Sequence, residues 1–267
     1  MKQNTDCWNN KLVAEKGCRG MGYQEFDFRN EWRGEDARRY RLDEVLRDPN
    51  ILDPTHTLFF VGPGSRRHSL VQAGKQTLRN VDGPMDGLAF FVGFLGNPLV
   101  FVERPEDVIE GGMRATEQAF ETLRVLESVG YSPFEVAYFD MNNPNLGELR
   151  LCANGSATFL DNRSHMFWGP VRQDTHTDKQ AMHVLSQYGL VLRTGDRLLL
   201  TFKYGDRDLL EQYADVCDQV GLVWKAIKVE GDFAVPRELA RVRLEGGNVS
   251  DGKVSTVAAS LLVVDKQ

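Results

Sequence analysis

Four charged residues in this sequence stand where an apolar run stops: Glu103 after Leu99-Val100-Phe101-Val102, Asp140 after Val136-Ala137-Tyr138-Phe139, Asp161 after Ala157-Thr158-Phe159-Leu160, and Lys203 after Leu198-Leu199-Leu200-Thr201-Phe202. Another apolar run, Leu58-Phe59-Phe60-Val61, breaks into Gly62-Pro63-Gly64-Ser65. Glycine lets a ligand approach the backbone closely because it has no Cβ, and a helix that begins after such a turn offers unpaired N–H groups. Beside a turn of this kind, a carboxylate ending the second strand can accept both hydroxyls of a ribose, and one after the third strand can meet an adenine amine. Glu103 and Asp140 occupy those two places. A single strand-end acid is more often a surface carboxylate capping the next helix. Three in successive units after a glycine turn exceed what capping needs, and the pattern points to a nucleotide-like ligand.

The elements that would position these residues follow from periodicity. Residues 34–47 carry Ala37, Tyr40, Leu42, Val45 and Leu46 at helical spacing, with Pro49 as a stop. A strand at 58–61 and a helix at 66–79 come next, then a strand at 98–102, an amphipathic stretch over about 107–129 and a strand ending at Asp140. The segment from Leu149 to Asn162 reads as two short strands joined at Asn154-Gly155, a strong hairpin signal. Helices are expected over 178–192 and 206–220, with a buried strand between them that ends on Lys203, and two strands close the chain. Alternation of strand and helix predicts an α/β fold, a mostly parallel sheet with helices on both faces and ligands at the carboxyl ends of its strands. No repeat or low-complexity linker divides the chain, so residues 1–267 are expected to form one domain, an N-terminal extension over 1–32 and a core over 33–264.

Composition narrows the function classes. A hydrophobic fraction of 42% suffices for a full core. The N-terminus lacks an apolar stretch of signal-peptide type and no segment approaches eighteen uninterrupted apolar residues, so a cytoplasmic protein without a membrane partner is expected, in the host cytoplasm if the chain is viral. Cys7, Cys18, Cys152 and Cys217 are scattered without a CxxC pair, and His176 and His183 fall on different elements, so no metal is expected. The net charge of −6 argues against a protein that coats nucleic acid through bulk charge. Residues 29–80 nevertheless hold ten Arg/Lys against seven Asp/Glu, which leaves room for a local basic face as well as for a solvated helix of mixed charge.

Among nucleotide-binding patterns, G-x-x-x-x-G-K-[ST] is absent and Gly62-Pro63-Gly64-Ser65-Arg66-Arg67 lacks the third glycine of G-x-G-x-x-G. The order of the remaining motifs resembles the S-adenosylmethionine-dependent methyltransferases, and within them the FtsJ-like ribose 2′-O-methyltransferases, over about residues 33–264. A basic helix ahead of the glycine turn, the turn Gly62–Ser65, acids after the second and third strands at Glu103 and Asp140, an aspartate after the fourth at Asp161 and a strand ending in lysine at Lys203 occur in the family's order. In the basic helix, Arg41 stands in the place of a lysine. Phe60 replaces an acid before the turn, and the last strand offers Ser255, Thr256 and Ser260 where the family has a glutamate.

The resemblance implies a Rossmann-like class I methyltransferase with a seven-stranded sheet. It implies S-adenosylmethionine held by Gly62, Pro63, Gly64, Ser65, Glu103, Asp140 and Asp161, and catalysis by Lys203, Asp161 and Arg41. The implied partner is RNA, methylated on a ribose 2′-hydroxyl, as in a capped viral or cellular mRNA. Lys203 leaves an apolar strand, where burial would lower its pKa and Asp161 would raise it, so it is the expected base. Arg41 stays protonated and would hold a phosphate or orient the ribose. His165, Phe167 and Trp168 offer rings for a base to stack on, or a packed loop. The departures in the motifs leave two alternatives: a methyltransferase fold that binds without turnover, and a small-molecule methyltransferase with the same cofactor half.

Overall fold

The computed structural model describes residues 22–24, 38–63, 87–103, 120–121, 123–124, 126–138, 146–162, 176–203, 207–230, 232–234, 253–255 and 258–266. Its strands are β1 (Tyr40–Arg41), β2 (Thr57–Val61), β3 (Leu99–Glu103), β4 (Phe134–Tyr138), β5 (Ala157–Asp161), β6 (Arg197–Lys203), β7 (Val223–Glu230), β8 (Asp232–Ala234), β9 (Lys253–Ser255) and β10 (Ala258–Asp265). Its helices are α1 (Leu42–Arg47), α2 (Gly87–Val92), α3 (Leu146–Leu151), α4 (His176–Val191) and α5 (Arg207–Val220).

Eight strands form one sheet in the order β1-β7-β10-β6-β5-β2-β3-β4, and β8 pairs with β9 apart from it. Among the described strands of the large sheet, only β10 runs antiparallel to its neighbours, β6 and β7. Counted along the chain, β2 to β6 lie in the order 3-2-1-4-5, the doubly wound arrangement in which successive connections leave on opposite sides of the first strand. This is the Rossmann-like α/β architecture, mostly parallel, that the class I methyltransferase resemblance implies. The insertion of β10 between β6 and β7 sets it apart from a plain dinucleotide-binding order.

Strand alternation explains why helices cover both faces. Leu58, Phe60, Phe101, Leu160 and Leu199 pack in one cluster with Leu42, Val45 and Leu46 of α1 and Phe91 of α2. Phe59, Phe159, Leu198 and Leu200 pack in the other with Leu185 and Tyr188 of α4 and Leu210 and Tyr213 of α5. All five residues of β2 are buried, which is why its sequence reads as an unbroken apolar run instead of alternating.

The structure departs from the sequence reading at several points, one being that His176 and His183 both lie on α4 and not on different elements. The sheet has eight strands where seven are expected, because Tyr40 and Arg41 extend beside Val229 and Glu230 of β7. For the same reason the helix expected over 34–47 begins only at Leu42 among the described residues, with Arg41 at its N-cap in an extended conformation (φ −65°, ψ 128°). The hairpin expected around Asn154-Gly155 is a helix-to-strand turn: Leu146, Leu149 and Arg150 are buried at helical spacing in α3, and Gly155 takes φ +92° before β5. An Asn-Gly pair signals a left-handed backbone, and that conformation serves either turn. Arg150 anchors this turn by a bidentate bond to Asp196 at 2.7 and 3.0 Å and a bond to the Gly155 carbonyl at 2.9 Å. The helix expected over 66–79 lies outside the described residues.

Candidate active site at the carboxyl edge of the sheet

The parallel strands bring the chemistry-bearing residues to one edge. Val61 ends β2 directly opposite Val102 on one side and Asp161 on the other. Glu103 is therefore level with Gly62, and Asp161 stands one register below it on the opposite flank. Two strand spacings separate β3 from β5, about 10 Å, which is comparable to the length of a nucleoside. Glu103 continues the series Leu99, Phe101 on the α1 and α2 face, whereas Asp161 continues Ala157, Phe159 on the α4 and α5 face. The two acids thus flank the glycine turn from opposite faces, at the point where the connections diverge. A ligand lying across this edge meets one carboxylate at each side.

The turn itself is held by the backbone. Gly62 adopts φ +71°, and its N–H donates to the Val102 carbonyl at 2.9 Å. The Asn162 N–H donates to the Val61 carbonyl, also at 2.9 Å, so Val61 and Gly62 together stitch the end of β2 to the strands on both sides. A left-handed residue here favours glycine, which gives Gly62 a conformational reason beside any role toward a ligand. Pro63 follows and is buried. Gly64, Ser65 and Asp140 lie outside the described residues, as do Arg33, Arg66, Arg67, His165, Phe167 and Trp168.

Glu103 and Asp161 are both buried, at 3% and 2% exposure. Asp161 accepts the hydroxyl of Tyr188, on α4, at Oδ2 over 2.8 Å. Asn162, the next residue, accepts the hydroxyl of Thr201 at 2.5 Å. Sequence reasoning missed Tyr188, Asn162 and Thr201. Tyr188 sits at helical spacing with Val184, Leu185 and Leu192 and reads as core; Thr201 hides inside the apolar strand that leads to Lys203.

Lys203 is the last residue of β6, beside β5. Leu200 is the β6 residue opposite Asp161, so the backbone of Lys203 lies three registers, about 10 Å, beyond that level. Across the strand pair, Asp161 and the backbone of Lys203 are thus displaced along the strand.

Arg41 is on the same edge but at the far end of the sheet, with β7 and β10 between β1 and β6. Three strand spacings, about 14 Å, separate its strand from that of Lys203. Its guanidinium donates to both carboxylate oxygens of Asp43, at 3.1 and 2.6 Å, and lies 3.8 Å from Glu44. The hydrogen bond and charge of Asp43 raise its pKa further. Nearby, Arg38 lies 5.0 Å from the centre of the Tyr40 ring, which packs edge-on against Tyr23. Lys228 of β7 is 9% exposed, and burial lowers its pKa, helped by the charge of Arg39.

Among the described residues, no group of three or more His, Cys, Asp or Glu is arranged to hold a metal ion, and no helix is long and apolar enough to cross a membrane. No family model matches this sequence, and no curated protein matches it. Solved structures of similar shape include a methyltransferase from Pyrococcus furiosus (12% identity, 84% of this chain and 82% of that one covered, TM-score 0.42). They also include an S-adenosylmethionine-dependent O-methyltransferase from Thermotoga maritima (11% identity, 89% and 70% covered, TM-score 0.40). A third is a precorrin-6y C5,15-methyltransferase from Geobacter metallireducens (9% identity, 80% and 81% covered, TM-score 0.39). The fold of this chain rests on its own strand order.

Proposed function

We propose that this protein is an S-adenosylmethionine-dependent methyltransferase whose acceptor is a ribose 2′-hydroxyl of RNA, as in a capped transcript. The observation that carries the cofactor half is the edge formed by Gly62 between two buried acids, Glu103 and Asp161, at the divergence of the doubly wound sheet. The residues present suit an adenosine-containing ligand. Glu103 is a carboxylate level with the turn, fit to accept ribose hydroxyls, and Asp161 is on the other flank, toward the methyl-donor end. The cofactor, when bound, supplies an electrophilic methyl group. The protein's task is to align an acceptor oxygen with that carbon, exclude water and take the hydroxyl proton.

Lys203 is the proposed base, on the strand next to Asp161, and the choice of RNA rests on the sequence resemblance. Arg41 is a weaker member of this set, because its guanidinium is engaged by Asp43 and Glu44 at the edge of the sheet. That engagement, together with the departures in the glycine and last-strand motifs, favours a second reading, a binding module of the same fold without turnover.

Calorimetric titration of the full chain with S-adenosylmethionine and its demethylated product tests the cofactor half. Glu103→Ala should weaken binding by about 1–3 kcal/mol. Unchanged affinity rejects the placement of the ribose. Transfer of a labelled methyl group to capped and uncapped RNA tests the acceptor half. There Lys203→Ala should cost about 10²–10⁴-fold in rate while leaving cofactor affinity unchanged. Cofactor binding without transfer to any RNA would overturn the RNA acceptor and leave the binding module and the small-molecule enzyme.

A further inference from the structure

Tyr188 is fully buried on α4, its ring 5.4 Å from Phe159 in the core of that face, and its hydroxyl reaches Asp161 Oδ2 at 2.8 Å. Packing alone asks for a ring at this position, and phenylalanine would supply it. The hydroxyl adds a polar atom to an apolar cluster, which is favourable only when it is hydrogen-bonded, and here its partner is a carboxylate that is itself almost wholly buried. A hydroxyl donor 2.8 Å from a carboxylate oxygen makes a directional hydrogen bond. It fixes Oδ2 and, through the planar carboxylate, the direction of Oδ1.

We infer that Tyr188 is a positioning residue for Asp161, holding that carboxylate from beneath the sheet in the orientation in which it serves the ligand edge beside Gly62. The inference rests on the methyltransferase reading for what Asp161 serves. Its structural content is that the site is oriented through the core, from α4, and not only by the loops above the strands. Tyr188 is fully buried and its hydroxyl meets Asp161, so its effect on binding is expected to pass through that carboxylate.

A double-mutant cycle on the full chain tests this, reading the calorimetric Kd for S-adenosylmethionine and for its demethylated product. Tyr188→Phe keeps the ring against Phe159 and removes one donor; it should weaken binding about tenfold while the variant stays folded by circular dichroism. Asp161→Ala should also weaken binding, and adding Tyr188→Phe to it should change Kd by less than about twofold, because the route is already cut. Wild-type affinity in Tyr188→Phe overturns the inference. So does wild-type affinity in Asp161→Ala, or a tenfold loss that persists in the double variant. A Tyr188→Phe chain that does not fold would assign the hydroxyl to the core and overturn it equally. If the wild type binds neither compound, the methyltransferase reading falls and takes this one with it; if the wild type binds and Tyr188→Phe matches it, only the role of Tyr188 falls.

Discussion

Thr201, in the middle of β6, donates its hydroxyl to the side-chain oxygen of Asn162, the first residue beyond β5, at 2.5 Å, and both are buried. With the Asn162 N–H on the Val61 carbonyl, one residue ties β5 to the strands on both sides just where the sheet's connections diverge. Thr201→Val keeps the shape of the side chain and removes the donor. It should lower stability by about 1–2 kcal/mol, read as a lower denaturant midpoint at constant slope. An unchanged midpoint would show that the tie does not stabilise the edge.

Gly62 makes a second, backbone-level prediction. At φ +71° an alanine pays the left-handed penalty of about 1–2 kcal/mol. Gly62→Ala should therefore lower the unfolding free energy by that amount, and it should weaken cofactor binding as the turn shifts. A variant with wild-type stability would mean that the backbone relaxes away from the left-handed conformation.

Lys228 gives the pH dependence. Burial, and then the charge of Arg39, lower its pKa in the folded protein. Between that lowered value and the ordinary lysine range the unfolded chain holds the proton and the folded chain does not, so folding becomes more favourable as pH rises. The stability of the wild type relative to Lys228→Met should increase with pH above neutrality, up to the ordinary lysine pKa. Denaturant titrations of both proteins between neutral and alkaline pH measure the difference, and a wild-type stability that stays flat or falls relative to Lys228→Met as pH rises contradicts the burial argument.

Arg41 tests the far end of the edge. Its ion pair with Asp43 is partly solvated, with the arginine side chain 49% exposed. Exposed pairs contribute about 0–1 kcal/mol. Arg41→Ala should change stability within that range and leave cofactor affinity unaltered, since three strand spacings separate β1 from β6. If RNA lies along this edge, the same variant should bind RNA more weakly and with a shallower salt dependence. RNA affinity and salt slope equal to wild type would remove Arg41 from the acceptor site.

The sequence by itself determined the alternation of elements and most of their positions. Strands buried on both faces need unbroken apolar runs, and those runs, at Leu58–Val61, Leu99–Val102 and Leu198–Phe202, are visible in one dimension. The charged residue or glycine that ends each run marked the carboxyl edge for the same reason: a charge cannot continue a buried strand without a partner. Local signals misread two places. Asn154-Gly155 specifies a left-handed turn but not which elements it joins, and Tyr40-Arg41 has helical spacing until pairing with β7 satisfies its backbone instead.

Only the tertiary structure decided how the marked residues relate. Register places Asp161 opposite Leu200, and therefore below the level of Lys203, which no spacing along the chain reveals. Strand order puts Arg41 at the far end of the sheet, although it lies close in sequence to the glycine turn. The partners of the buried polar groups, Tyr188 for Asp161 and Thr201 for Asn162, come from a helix and a strand distant in sequence. Their side chains look like ordinary core residues until packing brings each hydroxyl against its acceptor, because hydrogen-bond geometry is a property of the folded arrangement and not of residue type.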